Sequence, residues 1–583
     1  MEVAASDKWF CCSWLRHKVP RNLREELYHL LRMTGPILMT RILDYMLPFV
    51  VTMFCGRLTS EVMAGYGLAT ATVNITTAAT GLGLERACDT LVAQTFGGKN
   101  LLRVGVIFQR GIIILLLFCL PCWGLLLNAQ AILLLLGQDP EVTRIAQLYI
   151  TAYLPAIPAL FLHYLQVSYL QNQGIILPQM YTSAMANIAS VVTNYVLIKV
   201  LHLGVYGSAA ANTLSKIYIC VFLFAYIRWK KLHKTTWGGW SVESLQGWGA
   251  FMKLAFPSTL MICFEWWIYE FGGFFAGMLG KKELAAQHVL ISVANMVYMI
   301  PFGIQAAACA RVGNALGAGD TAGALLTCKV SLSLTAAFAV VEGIALISAK
   351  SLIGFIFTSD PEITSRVSYV MNIYCFHQFF DGIVAVCIGI FMGTGKQMIA
   401  AVSNFIGFYG IGLTLCLTLM FVAKMNILGF WLGLFICVIL QSTFYIFVIF
   451  RLNWKKITDE ALKRARAKTN VELLNTSNQS ADQPEDQDNS VDGYMQVTTK
   501  SPDGNPKSLY VIEKSVDHLS VSQLIIRRGM AIFIVVGLLV VGVCVHFLLP
   551  LPESPLWKAN FTMEVLNATY SPLQTSVTLL DSS

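Results

Sequence analysis

Five carboxyl groups lie within stretches of this chain that are apolar enough to cross a membrane. Two of them, Glu265 and Glu270, stand together in the segment 263–271 (CFEWWIYEF). An ionised side chain at the centre of a bilayer costs about 2.5–3.5 kcal/mol or more, so each such residue suggests a function. No Lys or Arg lies within one helical turn of either acid. The pattern therefore favours groups that bind and release protons over groups held in local ion pairs.

Five positions along a helix correspond to a rotation of about 140° and a rise of ~7.5 Å. Glu265 and Glu270 therefore cannot share one narrow face, but both can border a wide cavity. The rings beside them, Trp266, Trp267 and Tyr269, can offer their faces to a cationic or aromatic ligand. The alternative is that the two acids only form hydrogen bonds with neighbouring helices.

Asp381 is the third acid, and Phe380 beside it is a further candidate aromatic of the cavity. His377 stands four residues before Asp381, so a side-chain pair on one helix face is available. A functional and a structural role for Asp381 both remain open. Glu342 has no charged partner on its own segment, and we interpret it as structural or as lying at a cavity edge.

Landmarks of the first half of the chain recur in the second half at an offset of about 221 residues. The matching pairs are Pro36 and Pro257, the segments 54–58 and 275–279, the segments 139–143 (DPEVT) and 360–364 (DPEIT), and Gly174 and Gly395. A fifth pair, 94–98 and 314–318, falls at an offset of 220. Ordered matches at a nearly constant spacing predict an internal duplication, which is typical of secondary transporters.

Asp44, the fifth acid, is the repeat image of Glu265. The duplication therefore predicts an acid at matching depth in both halves, which makes Asp44 a possible second proton site. Arg41 stands three residues away and could neutralise Asp44. A structural ion pair and a proton site are both left open.

Composition indicates an all-α polytopic membrane protein. Of 583 residues, 56% are hydrophobic and 13% charged, whereas soluble domains carry about 25% charged residues. Runs of roughly 20 apolar residues, the length needed to cross a bilayer, predict twelve spans at about 36–55, 63–84, 105–127, 145–166, 177–200, 204–227, 252–279, 284–306, 327–349, 366–392, 398–423 and 427–450. Each half then holds six spans, so the repeat is parallel, and a thirteenth span follows near the C-terminus.

Positive charge predicts the orientation. Lys and Arg are frequent before the first span, after the second (Arg86, Lys99 and Arg103) and between the halves, which places the N-terminus in the cytoplasm. The predicted divisions are a cytoplasmic N-terminus 1–35, an N-lobe 36–228, a cytoplasmic loop 229–249, a C-lobe 250–451, a cytoplasmic disordered tail 452–525, a thirteenth span 526–549 and an extracellular C-terminus 550–583. The last of these carries two possible glycosylation sites, Asn560 and Asn567.

Other classes of protein fit the sequence less well. No His, Cys and carboxylate cluster has the spacing of a metal site, no nucleophile lies beside a base, and we expect neither an enzyme nor a cofactor. The sequence has no basic patch interleaved with aromatics, the pattern that would predict nucleic-acid binding. The predicted span count excludes a seven-span receptor. A channel is disfavoured because two non-identical halves do not provide a ring of equivalent pore-lining residues. We interpret His163, which lies within a span, as a packing residue.

The chain resembles the animal branch of the multidrug and toxin extrusion family over residues 22–456. The resemblance rests on residues 54–56 (FCG), 87–91 (ACDTL), 237–240 (WGGW), 265–270 (EWWIYE), 311–318 (RVGNALGA) and 452–456 (LNWKK). It implies a proton-coupled antiporter that exports small organic cations across the plasma membrane, at the apical face of epithelia. It also implies proton and cation binding by acids of the C-lobe, which Glu265, Glu270 and Asp381 match.

Two positions depart from the family pattern. Asp381 stands where animal members often carry Glu, so the charge is kept on a shorter side chain. Ser292 replaces an eighth-helix Glu, which leaves one fewer titratable group in the pocket. We therefore do not expect a substrate range identical to that of better-known members. A flippase for lipids or lipid-linked sugars of the same superfamily is the alternative, and it predicts a broad basic cavity.

Overall fold

The structure is a computed structural model that describes residues 20–55, 60–357, 360–466, 495–499, 507–511 and 520–551. Almost all of the described chain is helical. The helices of the first half are α1 (Arg21–Cys55), α2 (Ser60–Val73), α3 (Ala79–Gly97), α4 (Leu101–Leu127), α5 (Ala129–Leu135), α6 (Pro140–Tyr153), α7 (Ala156–Gln171), α8 (Leu177–Tyr195) and α9 (Gly204–Trp229). Those of the second half are α10 (Trp248–Leu279), α11 (Lys281–Val297), α12 (Met299–Ala318), α13 (Thr321–Phe357), α14 (Pro361–Thr394), α15 (Gln397–Asn404), α16 (Thr414–Leu417) and α17 (Ile427–Arg451).

Shorter or later elements complete the fold. Wider π-helical turns occupy Asn74–Ala78, Val196–Val200, Phe405–Leu413 and Thr418–Val422, and a 3₁₀ turn covers Val242–Leu245. Beyond the second half lie α18 (Trp454–Arg466), an antiparallel strand pair β1 (Met495–Thr499) and β2 (Lys507–Val511), and α19 (Val521–Leu548).

Helices occupy all thirteen predicted span positions, but not every one of them is both long enough and apolar enough to be identified as a membrane span. In the described residues, ten helices are long and apolar enough, and the bent pair α6 and α7, which meet at 58°, makes an eleventh. The helices at the second and seventh predicted spans, α2 with α3 and α10, are not among these. The fold is that of a multi-pass membrane protein, and thirteen crossings remain a prediction.

Paired sequence landmarks adopt the same local geometry in the two halves. Asp139 and Asp360 each cap a helix that begins with proline, and each accepts a hydrogen bond from the backbone N–H two residues later, at 2.9 and 2.8 Å. Gly174 and Gly395 both follow a helix with φ of +75° and +76°, where a side chain would be strained. The sequence similarity therefore extends to the backbone at these positions.

Hydrogen bonds join the two halves at the C-terminal end of α3. The hydroxyl of Thr90 donates to the carbonyl of Met392 (2.7 Å), and the amide of Gln94 donates to the carbonyl of Gly393 (2.9 Å). All four residues are buried. Because these bonds satisfy carbonyls at the end of α14, they fix the distance between the lobes at this face of the molecule.

Two glycines allow α3 and α12 to approach closely there. A Cβ atom added to Gly97 would lie 2.0 Å from the carbonyl oxygen of Asn314, and one added to Gly317 would lie 1.9 Å from that of Gln94. No side chain fits at either position in this conformation. The two halves of the chain are therefore in close contact at the ends of these helices.

The start of the tail differs from the prediction of disorder over 452–525, because residues 454–466 form α18. This helix contacts both halves: Arg464 donates to the side chain of Gln94 (2.8 Å), and Lys396 bonds to Glu460 (2.8 Å). The hydrogen bond from Lys396 lowers the pKa of Glu460, which lies outside the spans. Residues 467–494, 500–506 and 512–519 lie outside the described residues, as do both candidate glycosylation sites.

Two further boundaries differ from prediction. Helix α1 begins at Arg21, so residues 21–35 of the predicted cytoplasmic N-terminus are helical and continuous with the first predicted span. Arg86 was predicted in a loop after the second span, but it lies inside α3 and is 5% exposed. It therefore contributes nothing to the positive charge of that loop.

The C-terminal helix α19 packs on α4. A Cβ added to Gly542 would lie 2.6 Å from the Cα of Gly124, and Asn128 donates a hydrogen bond to the carbonyl of Gly542 (2.8 Å). Small residues let membrane helices approach closely, and polar side chains then bond across the contact. The rest of α19 is largely exposed apolar surface.

Candidate functional site

Glu265 is the centre of a polar cluster in the C-lobe. It projects from α10 and is partly buried, and its carboxylate accepts a hydrogen bond from the hydroxyl of Tyr298 (2.8 Å), which lies between α11 and α12. No described cation forms a contact ion pair with Glu265. Arg86 of the opposite lobe interacts with it electrostatically from a greater distance. The carboxylate is thus positioned by a phenol and is not neutralised by direct contact.

Asp381, on α14, belongs to the same cluster. Its carboxyl group interacts electrostatically with that of Glu265, although the two residues are far apart in sequence. His377 does not bond to Asp381; its ring packs edge-on against Trp431, with ring centroids 5.6 Å apart. The pair available from sequence spacing is therefore not formed, and the partner of Asp381 is another acid.

Glu270 is not brought to this cluster. It is exposed on α10, and no described residue forms a hydrogen bond or ion pair with it. Ser292, where a Glu was expected, donates its hydroxyl to the carbonyl of His288 (2.8 Å) and offers no acid. The described C-lobe cluster therefore has two carboxyl groups, Glu265 and Asp381.

The predicted cavity aromatics serve mainly to pack the surrounding helices. The indole N–H of Trp267 donates to the carbonyl of Ile75 (3.2 Å), which links the two halves. Trp266 and Trp267 both pack against the apolar cluster that includes Met261 and Ile304. Tyr269 lies near Trp431, with centroids 6.3 Å apart. Phe380 packs against other phenylalanine rings. These contacts hold α10 and α14 in place around Glu265 and Asp381.

A second polar centre, which the sequence did not reveal as one site, lies in the other lobe. It is a cavity of about 160 Å³, and we call it the N-lobe cavity. Its charged lining consists of Arg41, Asp44, Glu85, Arg86, Asp89 and Lys216, and His163 and Tyr164 are further titratable groups of the lining. These side chains come from α1, α3, α7 and α9, so tertiary packing alone assembles them.

Asp89 is fully paired within the N-lobe cavity. It accepts hydrogen bonds from Arg86 (2.8 Å), Ser168 (2.7 Å) and Asn172 (2.7 Å), and all four residues are buried. A carboxylate with three donors is well compensated for loss of water. Asp89 and Arg86 therefore form a structural ion pair.

Arg41 and Asp44 do not form the ion pair that sequence spacing allowed. Among the described residues, Asp44 accepts a hydrogen bond from Ser183 (2.8 Å), whereas the guanidinium of Arg41 lies over the ring of Phe302, 4.6 Å from its centroid. Arg86 lies over the same ring at 5.4 Å. Phe302 belongs to α12, so this cation–π contact joins the two lobes.

The signals for the N-lobe cavity were present but were interpreted otherwise. Glu85 and Arg86 follow the predicted end of the second span at residue 84 by one and two positions, and the sequence analysis predicts Arg86 in the loop outside the membrane. Lys216 stands within the sixth predicted span, where any ionisable residue suggests a function. In the described chain, no three His, Cys, Asp or Glu residues group closely enough to hold a metal ion.

Comparisons with known proteins find one family that matches most of the chain. The MatE family model matches twice, at residues 36–196 and 257–418. Multidrug and toxin extrusion protein 1 of Danio rerio is 45% identical over 549 residues, covering 92% of this chain and 93% of that protein. Multidrug and toxin extrusion protein 1 of Homo sapiens is 42% identical, and the match covers 90% of this chain and 94% of that protein. Multidrug and toxin extrusion protein 2 of Mus musculus is 43% identical, and the match covers 91% of this chain and 95% of that protein.

Solved structures share the fold. The eukaryotic MATE transporter AtDTX14 superimposes with a TM-score of 0.73 at 28% identity, covering 76% of this chain and all (100%) of that one. A Vibrio cholerae MATE transporter in its bent form gives a TM-score of 0.65 at 16% identity, again covering 76% of this chain and 100% of the other. The second likeness concerns the fold alone.

Proposed function

Because this chain belongs to the multidrug and toxin extrusion family of transporters, we propose that it exports small organic cations in exchange for protons. The observation that carries the proposal is the cluster of Glu265 and Asp381. Two acids from different helices interact electrostatically inside the C-lobe, no described cation is in contact with either, and Tyr298 donates a hydrogen bond to one of them. Two nearby carboxylates repel, so the cluster favours either a bound proton or a bound cation.

Competition for this cluster is sufficient for exchange. Facing outward, the acids take up a proton, lose charge and release the organic cation. Facing inward, the proton leaves to the cytosol and the carboxylates bind a new cation. Each ligand needs only a different affinity for the two charge states, and no separate coupling route is required. Glu270, exposed on α10, is proposed to border the path and not the site itself.

The proposal includes an arrangement in the membrane. Twelve spans form two lobes related by the parallel repeat, α19 forms the thirteenth span, and the N-terminus is cytoplasmic. In this orientation the contact at Gly97 and Gly317 lies on the cytoplasmic side, so the lobes are closed there. We propose that this closed contact belongs to an outward-facing state, the one that releases cations and takes up protons. We place the protein in the plasma membrane, at the apical face of epithelia.

A flippase for anionic headgroups is not favoured. It requires a broad basic cavity, whereas the described C-lobe cluster is acidic and the N-lobe cavity has acids beside its cations. Neither site presents a continuous positive surface. Export of cations therefore fits the described charges better.

The test is uptake of labelled tetraethylammonium into cells that express the chain. Because antiport is reversible, an external pH of about 8.5 should stimulate inward transport relative to about 6. Glu265→Gln should abolish this stimulated uptake. Glu342→Gln is the matched control, since Glu342 is another partly buried acid of the bundle with no described bond, and its uptake should stay pH-dependent. Uptake that ignores pH in the native chain would refute proton exchange.

A further inference from the structure

Helix α18 contacts both lobes, but it is attached to them unequally. Residues 452 and 453 join it to α17, the last helix of the C-lobe. One of its faces is buried in an apolar cluster formed mostly by C-lobe residues, and this face includes Trp454, Ile457 and Ala461. Polar bonds hold the same part of the helix: Thr458 bonds to Thr321 of α13 (2.8 Å), and Lys396 donates to Glu460 (2.8 Å). Residues 454–461 are therefore fixed to the C-lobe.

The last turn of α18 carries its described hydrogen bonds to the N-lobe. Arg464 donates to the side-chain oxygen of Gln94 on α3 (2.8 Å), and the side-chain amide of Asn100 donates to the carbonyl of Ala465 (3.2 Å). The last carbonyls of a helix have no partner within that helix, so Asn100 caps the end of α18. Asn100 is also the N-cap residue of α4. The end of α18 is thus bonded to the junction between α3 and α4.

Gln94 joins the N-lobe to the second half of the chain twice. Its side-chain oxygen accepts from Arg464, and its side-chain nitrogen donates to the carbonyl of Gly393 at the end of α14 (2.9 Å). The residue is fully buried. Because Gly393 belongs to the C-lobe and Arg464 to α18, both bonds form only while the two lobes are in contact. Separation of the lobes at this face breaks them together.

We propose that α18 is a latch between the lobes. It moves with the C-lobe, its last turn holds the end of α3 while the lobes are in contact, and it releases α3 when they part. Alternating access requires such a parting once in each cycle, because the lobes move against each other as bodies. The bonds of Arg464 and Asn100 stabilise the closed state alone, so they raise its population. The inference rests on the alternating access of the proposed function, but not on proton coupling or on the substrate.

The first test measures how often the lobes part. A water-soluble maleimide labels Thr90→Cys, a position that is fully buried while the lobes are in contact. Arg464→Gln removes the charged donor to Gln94, so labelling should become faster by about two- to tenfold, the equivalent of one hydrogen bond. Lys463→Gln is the matched control and should not change the rate, because Lys463 is exposed and its side chain bonds to no described residue. Equal labelling rates in the two variants would refute the latch.

The second test tethers α18 to one lobe at a time. Lys99 and Arg466 are exposed and flank the bond between Asn100 and Ala465. Lys99→Cys and Arg466→Cys, joined by a short bis-maleimide, should stop uptake of labelled tetraethylammonium, because the last turn can no longer leave the N-lobe. The corresponding single-cysteine variants, treated with the same reagent, give the baseline, since native cysteines such as the exposed Cys544 also react.

The matched control tethers α18 to the C-lobe. Ala322 and Asp459 are likewise exposed and flank the bond between Thr321 and Thr458. Joining Ala322→Cys to Asp459→Cys should leave uptake at its baseline, because these residues move together. Uptake that continues at baseline with the N-lobe tether, or that both tethers stop equally, would overturn the proposal. The labelling rates need no transported substrate, so they decide on the latch even if the proposed exchange fails.

Discussion

Replacing Gly97 by alanine should disrupt the closed contact between the lobes. The added methyl group would lie 2.0 Å from the carbonyl oxygen of Asn314, a distance that real Cβ atoms essentially never show. Overpacking of this kind costs about 1–3 kcal/mol. Alanine is also a better helix former than glycine, but α3 stays helical whether the lobes meet or part, so that gain cancels. The closed state should lose about 5- to 150-fold in population relative to the open one.

The assay is the rate at which a water-soluble maleimide labels a cysteine placed at the contact. Thr90 is fully buried and bonded to Met392 (2.7 Å), so Thr90→Cys is protected while the lobes are closed. In that background, Gly97→Ala should speed labelling by about the same 5- to 150-fold. Gly249→Ala is the matched control, because a Cβ on Gly249 of α10 meets nothing within 4 Å. Equal labelling rates in the two variants would refute the closed contact.

Three further predictions follow from individual contacts. Tyr298→Phe removes the 2.8 Å hydrogen bond to Glu265. Because hydrogen bonds to charged groups contribute about 1.5–3 kcal/mol, the KM for tetraethylammonium should rise about tenfold or more. An unchanged dependence of uptake on tetraethylammonium concentration would contradict this prediction. The pKa of Glu460 is lowered by Lys396, so its stabilising effect on α18 is complete above the unfolded value of about 4.3 and is lost as pH falls through the lowered pKa. Hydrogen-exchange protection of residues 454–466 should then drop below about pH 4 in the native chain but not in Glu460→Gln, and equal acid sensitivity of the two would count against the contact. Gly542→Leu should separate α19 from α4 and lower the Tm by a few degrees. Gly537→Leu is the control and should not lower the Tm, because a Cβ atom at Gly537 meets nothing within 4 Å. Equal Tm values for the two variants would argue against the packing at Gly124.

Local patterns in the sequence predicted local structure well. The DPE segments at 139 and 360 predicted equivalent positions, and both begin a helix with the same cap. Apolar runs predicted where helices lie, because a membrane helix must satisfy its own backbone bonds. The missed helix α18 had a readable signal as well. Its buried residues Trp454, Ile457, Ala461 and Ala465 follow helical spacing, but the polar composition of the whole tail obscured it.

The sites were harder to predict because they depend on which helices pack together. The sequence identified Glu265 and Asp381 separately, but only the tertiary fold brings the two carboxyl groups within electrostatic range of each other. It also grouped Glu270 with Glu265, since spacing on one helix cannot show which acid faces inward. The N-lobe cavity was missed as a unit because four helices contribute its charges, and the sequence alone linked only Arg41 with Asp44.

The central claim is proton–cation exchange through the C-lobe cluster, and proteoliposomes loaded with a pH-sensitive dye test it most directly. Vesicles without a pH gradient would receive an inward gradient of tetraethylammonium. We predict that the cation enters as protons leave, so the interior becomes alkaline, and that Glu265→Gln removes this change. A lumenal pH that stays constant while the labelled cation enters the native vesicles would contradict the account.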